Sequence, residues 1–191
     1  MKALFLTFHG FHATNGISKK IHYQVRALEA NGVETHLCYL SEKQGIKYRM
    51  LDQEILADYG DGIKGKLYKR FEFNSVFRYI IKNQIDLVYI RSDHNANPFT
   101  IRLVSKIKKA GIHVVMEIPT YPYDQEYILS KGKIQLLIDK CFRKQLAKYL
   151  DRIITFSNYK TIFGIPTLQI SNGIDFKDIP VKQEANDTSQ E

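Results

Sequence analysis

Short apolar runs alternate with longer amphipathic stretches along almost the whole chain. Ala3 to Phe8 reads as a buried strand, and a polar loop from His9 to Gly16 follows it. Ile17, Ile21, Val25 and Leu28 then recur at helical spacing, with Asn31-Gly32 as the stop signal. Val33 to Leu40 reads as the next strand, while Ile46 to Tyr59 alternates only in part and suggests an added strand or hairpin. Leu67, Phe71, Phe77, Ile80 and Ile81 mark one basic helix that ends near Asn83. Ile85 to Ile90 is the near-continuous run of a parallel strand covered on both faces. Asn97-Pro98 starts a helix, with Asn as cap and Pro in the first turn, and Ala110-Gly111 closes it. Ile112 to Ile118 predicts another strand. Ile134, Leu137, Ile138, Cys141, Phe142, Leu146, Tyr149 and Leu150 form the clearest helical stripe. Residues 152–156 and 167–170 read as the last two strands.

This alternation predicts an α/β fold: a doubly wound, mainly parallel Rossmann-like sheet with helices on both faces and right-handed crossovers. One domain would span residues 1–176, with 177–191 as an acidic linker or tail lacking periodicity. Ligands of such sheets bind at the carboxyl ends of the strands. That directs attention to residues 9–16, 91–97, 119–125, 157–164 and 171–175.

Composition narrows the class. Of 191 residues, 44% are hydrophobic and 25% charged, as in soluble globular proteins. No apolar run approaches the roughly 20 residues of a membrane-spanning helix, and the N-terminus lacks the marks of a signal peptide. Cys38 and Cys141 stand far apart without metal-ligand spacing, which fits a reducing, cytoplasmic setting. The net charge of +8 is uneven. Six basic residues between Lys64 and Lys82 face only Glu72, and seven between Lys131 and Arg152 face Asp139 and Asp151, whereas residues 175–191 hold five acids against Lys177 and Lys182. A basic body suits phosphorylated ligands or an anionic membrane surface. Nucleic acid is disfavoured, because the basic segments carry no recognition motif and no interleaved surface aromatics.

Gly60 to Gly65 satisfies GxGxxG, and Gly60 to Lys66 satisfies GxxxxGK. Leu67 stands where a phosphate-binding loop needs Ser or Thr, and Asp86 begins a strand rather than ending one. A flexible loop is the expectation there. Asn15-Gly16-Ile17-Ser18 opens the first helix, where backbone N–H groups and the positive helix end favour a phosphate. Arg91, Asp93 and His94 follow a buried strand directly. Glu117 closes an apolar strand before a proline-stiffened aromatic loop holding Thr120, Tyr121 and Asp124, a setting able to hold a sugar by stacking and hydrogen bonds. No metal-ligand spacing and no GxSxG elbow is present.

Taken together, the strand at 3–8, the Asn15-Gly16-Ile17-Ser18 turn, Ile153 to Ser157 and Ile170-Ser171-Asn172-Gly173-Ile174-Asp175 resemble the N-terminal domain of GT-B retaining glycosyltransferases of family 4. Residues 117–126 resemble those of bacterial polysaccharide enzymes in that group. The likeness covers residues 2–176.

The resemblance implies the acceptor-binding half of a hexosyltransferase. Its donor is a nucleotide-sugar and its acceptor a glycan or lipid-linked glycan. No metal or other cofactor is implied, and the donor-binding C-terminal domain would be supplied in cis or trans. Asn15, Gly16, Ser18, Asn172 and Gly173 would then border the donor diphosphate. Arg91, Asp93, His94, Glu117, Thr120 and Tyr121 would line the acceptor side. Arg91 and Pro119-Thr120 stand where many members carry histidines, so no catalytic residue is assigned. The competing expectation is a non-catalytic carbohydrate- or phosphate-binding module, or one subunit of a split transferase. The resemblance also implies a cytoplasmic protein, peripheral at the inner face of the plasma membrane. Both apolar helix stripes are expected to cover the sheet, leaving attachment purely electrostatic.

Overall fold

The computed structural model describes residues 1–11, 15–91, 96–126 and 130–171. Strand β1 (Lys2–Gly10) is followed by helix α1 (Gly16–Ala30), β2 (Glu34–Lys43), β3 (Ile46–Leu51), β4 (Glu54–Gly60), α2 (Gly62–Phe71) and α3 (Asn74–Lys82). Then come β5 (Leu87–Arg91), α4 (Pro98–Lys109), β6 (His113–Glu117), α5 (Ser130–Ala147), β7 (Arg152–Thr155), β8 (Thr161–Ile162) and β9 (Ile165–Gln169). The nine strands form one mixed, mostly parallel sheet in the order β4-β3-β2-β1-β5-β6-β7-β9-β8. Its six central strands, from β2 to β9, pair in parallel, and an antiparallel strand or hairpin caps each end.

Alternation along β1 sends its side chains into two cores. Leu4 and Leu6 join the larger core with residues of α3, α4 and α5. Phe5 faces Ile21 and Val25 of α1 together with Tyr89 and Ile154, and its ring stacks on Tyr89 at 4.3 Å. Helices therefore lie on both faces, α1 on one and α3 to α5 on the other. From β1 the chain winds first towards β2, then returns past β1 to β5, so the strand order reverses between β1 and β5. Open α/β sheets have their binding crevice at that reversal.

Several predicted elements take a different form. The partial alternation over 46–59 resolves into two antiparallel strands, entered through a turn at Gln44 and Gly45, both of positive φ. A second two-residue turn, Phe163-Gly164, also has positive φ at both positions and folds β8 back on β9. The single basic helix expected over 64–83 is two helices. Phe73, 7% exposed, enters the core, and the Glu72 carboxylate accepts from Asn74 N–H and Ser75 N–H, so it caps a new helix rather than continuing the old one.

The glycine cluster is no flexible loop. Gly60 and Gly62 adopt positive φ in a tight passage from β4 into α2, and a methyl group on Gly65 would collide with the Gly60 carbonyl oxygen. Gly65→Ala should lower stability by about 1–3 kcal/mol, because the obstacle is backbone that cannot rotate away. Equilibrium denaturation checks this, and an unchanged midpoint contradicts it.

The expectation that both basic helices spend their apolar stripes on the sheet also fails. Gly65 is the buried residue of α2, whereas Ile63, Leu67, Tyr68 and Phe71 are exposed. On α5, Leu146 is buried but Ile134, Leu137 and Ile138 are exposed. No described helix is long and apolar enough to cross a membrane.

Candidate functional site

Parallel register sets the site. Thr7 pairs with Arg91, and Arg91 pairs with Glu117, so the carboxyl ends of β1, β5 and β6 place these side chains in one row on the α1 face. Arg91 is 8% exposed and Glu117 fully buried. Arg91 Nη1 stands 3.0 Å from Glu117 Oε1, at ion-pair distance although without hydrogen-bond geometry. The other carboxylate oxygen, Oε2, accepts from the Tyr89 hydroxyl at 2.7 Å and from Gln24 Nε2 at 3.1 Å. Burial, reinforced by the Glu117 charge, raises the Tyr89 pKa and keeps the phenol a donor.

Helix α1 covers this row. Asn15 caps it in extended conformation, its side chain accepting from Ile17 N–H at 2.9 Å. Gly16 is exposed, has no positive φ and would meet nothing among the described residues with an added Cβ. The turn therefore does not need glycine for its backbone conformation. Lys20, one turn further, rests its ammonium 3.3 Å from the Phe156 ring centroid. Its pKa is lowered chiefly by burial, with Glu117 opposing and Arg91 adding to the effect. An exposed helix N-terminus at the strand-order reversal is an arrangement suited to an anionic ligand.

The remaining predicted residues divide. Ser18 is buried in the α1 contact. Thr120 is exposed. Tyr121 is half-buried: its N–H donates to Ser157 Oγ at 2.8 Å, and its ring meets Tyr159 at 5.0 Å and Phe163 at 5.8 Å. That ring is committed to an aromatic cluster rather than presented flat to solvent. Glu117 likewise spends its carboxylate inside the protein, where it positions Arg91. Asp93, His94, Asn172 and Gly173 lie outside the described residues. Among the described residues no group of three His, Cys, Asp or Glu side chains is placed to hold a metal ion.

No protein-family model matches the sequence, and no curated protein does.

Three participants were not singled out in the sequence. Tyr89 shares a face with Arg91 by strand alternation, and Gln24 is a polar residue beside the stripe formed by Ile17, Ile21, Val25 and Leu28. Those are legible signals. Asp139 is the third. It is 3% exposed and accepts from Ala96 N–H at 2.8 Å, Tyr123 hydroxyl at 2.7 Å and Arg143 Nε at 2.5 Å. It ties α5 to the start of α4 and to the aromatic loop, and nothing in the spacing of these residues announces that.

Proposed function

We propose that this chain is the acceptor-side half of a retaining GT-B glycosyltransferase that moves a hexose from a nucleotide-sugar to a glycan or lipid-linked acceptor. The observation that supports this best is the exposed Gly16 at the N-terminus of α1, the helix that covers the Arg91–Glu117 row at the strand-order reversal. There, backbone N–H groups would offset charge developing on the departing nucleoside diphosphate. Arg91, held by Glu117, and the exposed Thr120 would face the acceptor, and the donor domain would close the cleft from the opposite side. The test is transfer of radiolabelled hexose by the protein joined to, or mixed with, that second domain. Gly16→Val should lower turnover by about a hundredfold, equivalent to one lost set of leaving-group donors, with the unfolding midpoint little changed because Gly16 is exposed and an added Cβ meets nothing among the described residues. Undiminished turnover removes the diphosphate assignment. Ligand binding without transfer by the complete assembly would instead make the chain a binding module.

With this function we also propose a position at the cytoplasmic leaflet. The exposed apolar residues of α2, flanked by Lys64, Lys66, Lys69 and Arg70, would insert while the cations engage anionic headgroups, each worth about 1 kcal/mol near the surface. Co-sedimentation with phosphatidylglycerol vesicles should be strong at low salt and only partly reversed by high salt. Leu67→Asp combined with Phe71→Asp should abolish the salt-resistant part. Complete release by salt alone would leave electrostatics as the whole of the attachment.

A further inference from the structure

On the sheet face opposite the Arg91–Glu117 row lies a pocket of about 300 Å³, at the carboxyl ends of β1 and β2 and enclosed by α2, α4 and α5. Its floor is apolar and buried: Leu40 is 8% exposed and Ala96 1%, with half-buried Phe8 beside them. Its rim carries Lys69 and Arg70, and its described lining includes no carboxylate. Asn97, the α4 cap, spends its side-chain oxygen on Phe99 N–H and Thr100 N–H, so the helix end is already satisfied and the rim cations supply the charge.

A further cation adjoins the floor. Arg49, the register partner of Leu40, is fully buried, with its guanidinium carbon 5.8 Å from the Phe8 ring centroid. It donates from Nη1 to the Thr7 carbonyl at 2.8 Å, and its Nη2 has no hydrogen-bond partner among the described residues. A buried positive charge with no carboxylate at ion-pair distance among the described residues, behind an apolar wall, biases the pocket towards anions. At the mouth, Phe99 and Phe71 meet at 5.2 Å, extending the apolar lining outward.

We propose that this pocket binds an anionic amphiphile: a phosphate held by Lys69 and Arg70, with its apolar body seated on Phe8, Leu40 and Phe99. Charge at the rim and hydrocarbon at the floor divide the ligand into those two parts. A fully hydrated anion would leave the floor unfilled, and an uncharged hydrocarbon would leave the cations unanswered. The site shares Lys69 and Arg70 with the leaflet contact proposed above but does not rest on the transfer reaction, since nothing in it invokes Gly16 or a sugar donor. A lipid phosphate drawn from a bilayer and a soluble aryl phosphate share this chemistry.

The test is titration calorimetry on the chain with four monomeric probes: dihexanoyl phosphatidate, phenyl phosphate, dihexanoyl phosphatidylcholine and inorganic phosphate. Saturable binding of phosphatidate or phenyl phosphate is expected, the tighter of the two identifying the source. Phosphatidylcholine and inorganic phosphate should each bind at least about tenfold more weakly, a loss of about 1.4 kcal/mol. Lys69→Ala with Arg70→Ala should cost the anionic probe about tenfold or more. Gln135→Trp, which narrows the mouth from α5, should block the site without touching a cation. Circular dichroism of both variants confirms folding. The proposal is overturned if neither amphiphile saturates, if inorganic phosphate or phosphatidylcholine binds equally well, or if either variant leaves the affinity unchanged.

Discussion

Glu117→Ala is expected to destabilise the fold by about 3–5 kcal/mol, the cost of breaking a buried ion pair by removing one partner. The Arg91 guanidinium, 8% exposed, would lose the carboxylate that stands 3.0 Å away. The buried Tyr89 hydroxyl would lose its 2.7 Å acceptor and Gln24 its 3.1 Å one. Glu117→Gln keeps an acceptor for Tyr89 but not the charge, so it should fall between wild type and alanine. Replacing Arg91 and Glu117 together by methionine should recover the part of the loss due to the buried charge, while the Tyr89 hydroxyl and Gln24 still lack their acceptor. Urea unfolding of the four proteins measures this. A loss below about 1 kcal/mol for the alanine variant would mean that water reaches Arg91 and replaces the carboxylate.

The second large effect is at Asp139. Asp139→Ala should cost about 3 kcal/mol, since it leaves the Ala96 N–H and the Tyr123 hydroxyl without their acceptor in a buried setting. Arg143 keeps Asp124, 2.7 Å from its Nη2, and therefore does not become a lone charge. That limits the penalty. Asp139→Asn retains one carbonyl oxygen and should cost about half as much. Hydrogen exchange separates a local from a global effect: the Ala96 amide should lose protection in the alanine variant while the β1 and β5 amides keep theirs relative to global stability. Unchanged protection at Ala96 would show that another acceptor takes over.

Both predictions concern residues whose importance comes from distant partners. Arg91 and Glu117 are separated in sequence by a whole strand–helix–strand unit, and only the parallel register of β5 with β6 sets them side by side. Asp139 belongs to an amphipathic helix, and two of its three donors, Ala96 N–H and the Tyr123 hydroxyl, come from segments outside that helix. The pocket is a similar case. Lys69 and Arg70 read in sequence as part of a basic helix face, and their position across from Phe99 and Ile138 depends on how α2 settles beside α4 and α5.

The sequence by itself determined the strand–helix alternation, the two asparagine caps at Asn15 and Asn97, and hence the parallel α/β sheet with helices on both faces. These follow from signals within a few residues: hydrophobic period, cap chemistry and glycine stops. Tertiary structure decided the rest. The break between α2 and α3 arises because Phe73 gains more by entering the core than a continuous helix would gain by exposing it. The exposure of Ile63, Leu67, Tyr68 and Phe71 follows from the same break, which leaves α2 lying beside the sheet edge formed by β3 and β4. The pairing of Arg91 with Glu117 and the cationic pocket on the opposite face depend on register and packing between segments far apart in the chain. Local pattern carries no information about which of those segments become neighbours.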